Sequence, residues 1–107
     1  MFFYTYIILM QNEQLYVGQT KDIEYRMKQH KEGQILGGSR TIEVRGFAKL
    51  ICYWASESRN SAVLLERYLK TLTHMKKEDL IRNPHLLGKS YGVKLKDNYE
   101  FHLVNNL

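Results

Sequence analysis

The stretch "YTYIILMQNEQLYVGQT", residues 4–20, decides the fold. Residues 2–10, "FFYTYIILM", are rich in aromatic and β-branched side chains and read as a strand. "QNEQ" at 11–14 is a short polar turn, and "LYVGQ" at 15–19 is a second strand. A connection this short predicts an antiparallel hairpin. Three of the eight tyrosines fall in this stretch, Tyr4, Tyr6 and Tyr16. Sheet packing accounts for them individually. It does not account for Gly18 closing the second run with a basic segment directly behind it.

Downstream the apolar period changes. Ile23, Met27 and His30 recur at i, i+4 and i+7, one stripe of a helix. Thr20 or Asp22 can cap its start and Gly33 its end. Residues 33–46 carry four of the seven glycines and read as a basic loop. "FAKLICYWA", 47–55, is nearly continuous in apolar residues, so it predicts a strand covered on both faces. A second helix follows, with Ser58, Asn60 or Ser61 as cap and Ala62, Leu65, Leu69 and Leu72 as stripe. A third starts at Thr73 and ends before Pro84. Beyond it, Tyr91, Val93 and Leu95, then Tyr99, Phe101 and Leu103, alternate around "KDN" and predict a second hairpin.

These elements make a small α+β fold. A three-stranded antiparallel sheet is flanked by helices in the order β-β-α-β-α-α, with a C-terminal β-hairpin extension. Residues 1–83 are expected to form the main domain. Residues 84–107 are expected to form the extension, packed on that domain or used in a homodimer. A length of 107 residues suits one core. A single cysteine, Cys52, excludes an internal disulfide and reads as a small buried hydrophobe. No apolar run near the start is long enough to span a bilayer, and "MFFYTYIILM" lacks the basic start of a signal peptide. The expectation is a cytoplasmic protein without membrane attachment. A net charge of +5 favours an anionic partner, nucleic acid above all.

The ordered set Tyr4-Thr5-Tyr6, Tyr16-Val17-Gly18, an arginine ten residues after Tyr16, His30 and Glu66 resembles the GIY-YIG nuclease family. The likeness covers about residues 3–82 and is nearest to the small stand-alone, single-domain members. Tyr4 stands where the family has its first glycine. The resemblance implies a metal-dependent endonuclease, a hydrolase of phosphodiester bonds in DNA. It assigns Tyr6, Tyr16, Arg26, His30 and Glu66 to catalysis, and Glu66 to one divalent metal, Mg²⁺ or Mn²⁺. One carboxylate suffices for an ion that keeps several waters and takes phosphate oxygens as ligands. Arg26 would hold the scissile phosphate with its planar fork of donors. Tyr6 is the favoured base and Tyr16 an orienting donor. An ordinary phenol, with a pKa of about 10, must be shifted or relayed to act as a base. Were a tyrosinate the base, the rate would rise from pH 7 toward 9.

Each residue also has a plainer role open to it. Glu66 can pair with Lys70 at i+4 on a solvated face. His30 can be a core histidine, and Gly18 a simple turn glycine rather than one that permits positive φ or close approach of a phosphate. Tyr53 and Trp54 can pack in the core rather than stack on bases. Lys21, Lys28, Arg40 and Arg45, together with Gly18, are the expected DNA contacts. With Lys31 and Lys49 added to these four cations, about six phosphate contacts would weaken binding about 10³-fold between 50 and 200 mM salt. Two rival functions use the same surface: a nucleic-acid-binding module without catalysis, and a protein-interaction domain built on the C-terminal hairpin. The form of the DNA, single-stranded, duplex or branched, is open.

Overall fold

A computed structural model describes residues 1–32, 46–87 and 99–107. The elements are β1 (Phe3–Met10), β2 (Leu15–Thr20), α1 (Ile23–Lys31), β3 (Phe47–Ser56), α2 (Arg59–Lys70), α3 (His74–Arg82) and β4 (Glu100–Leu103). A short 3₁₀ turn, Pro84–Leu86, follows α3. The strands form one antiparallel sheet in the order β2-β1-β3-β4. The architecture is therefore α+β, with three described helices around an antiparallel sheet.

The strand count differs from the sequence expectation. The second arm of the expected tail hairpin is β4, and it pairs with β3 through Tyr53↔His102 and Trp54↔Phe101. The sheet has four described strands rather than three. The first arm, at Tyr91, Val93 and Leu95, lies outside the described residues. The tail is fixed to the core by the Tyr99 hydroxyl, which donates to the Ser61 carbonyl at 2.7 Å. Phe101 also packs on Trp54, with ring centroids 5.1 Å apart.

β1 is central, and its residues from Thr5 to Ile8 are all buried. One face of the sheet meets α2 and α3 through Ile7, Val17, Cys52 and Trp54 against Leu65, Leu69 and Leu80. Cys52 is a free thiol inside this core. Trp54 is buried with it, so base stacking by its indole is excluded. The other face presents Tyr6, Ile8 and Met10 to Ile23 and Met27 of α1. The period-2 alternation of β1 thus sends Tyr6 and Ile7 to opposite layers.

The helix starts follow the capping pattern. The Asp22 carboxylate accepts the Tyr25 amide at 3.0 Å, and the Thr20 hydroxyl accepts the Asp22 amide at 3.1 Å. Ser58 caps α2 through the Ser61 amide, and Thr73 caps α3 through the Lys76 amide. The C-cap of α1 is Glu32, while Gly33 lies outside the described residues. Among the described residues no helix is long and apolar enough to cross a membrane.

Candidate active site

Tyr6 is the centre of the site. It lies across from Gly18 of β2 on one side and Tyr53 of β3 on the other. Gly18 has no positive φ and is not a turn residue; it sits inside β2. Its reason is steric. A Cβ there would stand 2.5 Å from Tyr6 Cζ, so only glycine leaves space for the phenol ring. This corrects the reading of Gly18 as a turn glycine, because the constraint comes from the neighbouring strand.

The Tyr6 hydroxyl lies 3.0 Å from His30 Nε2. His30 is 4% exposed, enclosed by the rings of Tyr6, Tyr16 and Phe47 at centroid distances of 6.0, 6.1 and 6.2 Å. Burial, and secondarily the Arg26 charge, push the imidazole down to about 4. His30 is therefore neutral at pH 7. Its Nδ1 is buried with no hydrogen-bond partner among the described residues.

The Tyr6 hydroxyl is shifted well above the ordinary phenol range, first by burial and then by the neighbouring Tyr16. Arg26 opposes this, both by charge and by a side-chain hydrogen bond, and Glu66 adds to it. Burial wins, and Tyr6 remains a neutral phenol. Tyr16, Arg26 and Glu66 thus act electrostatically on one hydroxyl, and His30 contacts it. Arg26 and His30 reach it from successive turns of α1.

Glu66 lies on α2, beside the buried Leu65. Its side chain is 20% exposed and makes a loose pair with Lys70, Oε2 to Nζ 3.5 Å. The i+4 pairing thus coexists with the charge that Glu66 exerts on Tyr6. Among the described residues no three His, Cys, Asp or Glu side chains form a cluster able to hold a metal. A lone, partly open carboxylate fits a hard cation that keeps most of its waters, and does not fit an all-protein cage.

The expected DNA contacts scatter. Lys21 is exposed at the end of β2 and lines a cavity of about 450 Å³ that also reaches Arg26. Lys28 is exposed on α1 and does not line that cavity. Arg40 and Arg45 lie outside the described residues. Tyr53 is half-buried and stacks on His102, centroids 4.8 Å apart. The sequence reading missed Phe47, whose ring stacks on His30, and Tyr25 and Arg59, which line the cavity. Tyr25 could have been noticed, since it falls off the Ile23–Met27–His30 stripe and so has no packing reason to be aromatic.

A family model described as the GIY-YIG catalytic domain matches residues 2–79. A UPF0213 protein of Clostridium perfringens is 33% identical over 92 residues, covering 86% of this chain and 96% of that protein. A UPF0213 protein of Vibrio parahaemolyticus is 36% identical over 85 residues, covering 78% and 76%. The solution NMR structure of a UPF0213 protein from Bacillus halodurans is 30% identical. It aligns with a TM-score of 0.49 over 88% of this chain and all of that one.

Proposed function

The chain belongs to the GIY-YIG catalytic-domain family, a nuclease family, and from that premise we propose that it is a metal-dependent endonuclease hydrolysing phosphodiester bonds in DNA. The observation that carries this reading is the buried Tyr6 hydroxyl, bonded to His30 and Arg26 and within the electrostatic reach of Tyr16 and Glu66. Packing alone needs no carboxylate, guanidinium and imidazole around one phenol.

In this reading Arg26 grips the scissile phosphate, and Glu66 holds one divalent ion, Mg²⁺ or Mn²⁺. When bound, that ion polarises the phosphate and stabilises the leaving oxygen. Tyr6 passes a proton rather than working as a phenolate. Its hydroxyl donates to His30 Nε2, and its oxygen, which accepts from Arg26, keeps one lone pair for the attacking water. As the water attacks, its proton moves to the Tyr6 oxygen and the phenol proton moves to Nε2. A phosphate seated on Arg26 cancels the positive charge that helps keep His30 neutral, so substrate binding raises the imidazole's proton affinity. Tyr16, edge-on to the His30 ring, holds that ring in place and orients the water. The rise in rate toward pH 9 expected of a tyrosinate base is then absent. The Tyr6–His30 pair gives a flat profile from pH 6 to 9.

The test is cleavage of single-stranded, duplex and branched DNA with and without Mg²⁺ or Mn²⁺. Cleavage should require the metal and fall by about 10²-fold or more in Glu66→Gln and in Arg26→Ala, as for loss of a transition-state contact. Salt-sensitive DNA binding with no metal-dependent cutting would instead make the protein a binding module.

A further inference from the structure

The cavity that borders Arg26 has no part in the roles above. It lies between the end of β2, the first turns of α1 and the start of α2, and encloses about 450 Å³. Tyr6, Tyr16 and Glu66 do not line it. A volume of this size is usual for a small-ligand site, where about 300–1,000 Å³ is common.

Its walls are built for an anion with a flat apolar part. Lys21, Arg26 and Arg59 contribute three cations, against the single carboxylate of Asp22. That carboxylate is already engaged, since it accepts the Tyr25 amide. Lys21 and Arg59 are exposed, and among the described residues neither has an ion-pair partner. Two aromatic rings, Phe3 and Tyr25, stand beside these cations. Tyr25 is 56% exposed, so its ring gives up burial that a core aromatic would gain. Cations for phosphate and an exposed ring for a base are the two parts of a nucleotide site.

We propose that this cavity is a subsite for the nucleotide adjoining the scissile phosphate, with Lys21 and Arg59 on its phosphate and Tyr25 stacked on its base. The proposal rests on the nuclease reading only in taking the phosphate at Arg26 as the scissile one. Arg26 borders both places, so a strand held at Arg26 can continue into the cavity. The subsite would hold substrate in register without touching the reacting atoms.

The experiment is an NMR titration of the ¹⁵N-labelled full chain with deoxythymidine 3′,5′-bisphosphate, beside a titration with inorganic phosphate. The bisphosphate should shift the amides of residues 19–22, Tyr25 and Arg59, and bind at least about tenfold more tightly than phosphate. Tyr25→Ala and Arg59→Gln should each weaken it by about tenfold, whereas Tyr25→Phe should retain it. Both side chains are exposed, and an unchanged amide spectrum of each free variant reports that it folds. Equal affinity for phosphate and bisphosphate would reduce the cavity to a simple anion site and overturn the proposal. Shifts centred on Tyr6 and His30, with Tyr25 silent, would also overturn it. Bisphosphate binding at Tyr25 in a protein that cuts no DNA would uphold the subsite and remove the nuclease roles. Metal-dependent cutting without bisphosphate binding would do the reverse.

Discussion

Gly18 and Tyr6 act as one unit across two strands. Because a Cβ at position 18 would stand 2.5 Å from Tyr6 Cζ, Gly18→Ala must displace the ring or bend β2. Overpacking of this kind costs about 1–3 kcal/mol. The displaced hydroxyl also loses its 3.0 Å contact with His30, so cleavage should fall with stability. Urea unfolding of Gly18→Ala, Tyr6→Leu and the double variant separates the two explanations. If the clash is the cause, Gly18→Ala costs little once the ring is gone. An equal cost in both backgrounds would place the effect in the backbone of β2 instead. This dependence is invisible in "YVG" as text, because the atom that forbids a side chain belongs to a residue twelve positions earlier.

At the scale of elements, the hairpin turn holds a strained residue. Glu13 sits at φ 67°, with its amide donating to the Met10 carbonyl at 2.9 Å. A left-handed conformation costs an ordinary residue about 1–2 kcal/mol, and glycine nothing. Glycine also gains freedom in the unfolded chain, which offsets part of that relief. Glu13→Gly should therefore raise unfolding stability by about 0.5 kcal/mol in urea, with an unchanged m-value. A loss of stability would show that the Glu13 side chain holds the turn. The elements themselves were legible because their signal is local. The apolar runs of β1 and β3, the stripes of α1 and α2 and the caps Asp22, Ser58 and Thr73 all stand in short windows of sequence. The partner of β4 was not. Phe101 and Leu103 reveal an alternating strand, but their pairing with β3, about fifty residues away, is set by the folded sheet. The same limit applied to the site. The tyrosines, Arg26, His30 and Glu66 could be named, whereas the charge states of Tyr6 and His30 depend on burial that only the packed layers create.

Across the whole molecule, the sheet joins two layers with different tasks. The α2 and α3 side holds the larger core, and the α1 side holds the Tyr6 cluster. β1 ties them together. Its Thr5 hydroxyl donates to the Ala62 carbonyl at 2.9 Å, which fixes the height of α2, and Glu66 follows one turn later. The site is thus built on the same strand as the core, and His30 makes the link to stability measurable. In the folded chain its pKa lies at about 4, below the ordinary 6.5. Between these values the unfolded chain binds a proton at this position and the folded chain does not, so acid favours unfolding. The contribution of His30 is complete above pH 6.5 and is lost as pH falls toward 4. Between pH 7.5 and 5 the loss should be about 1–2 kcal/mol, in a range where most carboxylates are still ionised. Thermal or urea unfolding at the two pH values measures it, and His30→Gln, which cannot titrate, should flatten the difference. An acid-induced loss of the same size in His30→Gln would assign the sensitivity to other groups. It would also remove the main support for a neutral imidazole waiting beside Tyr6.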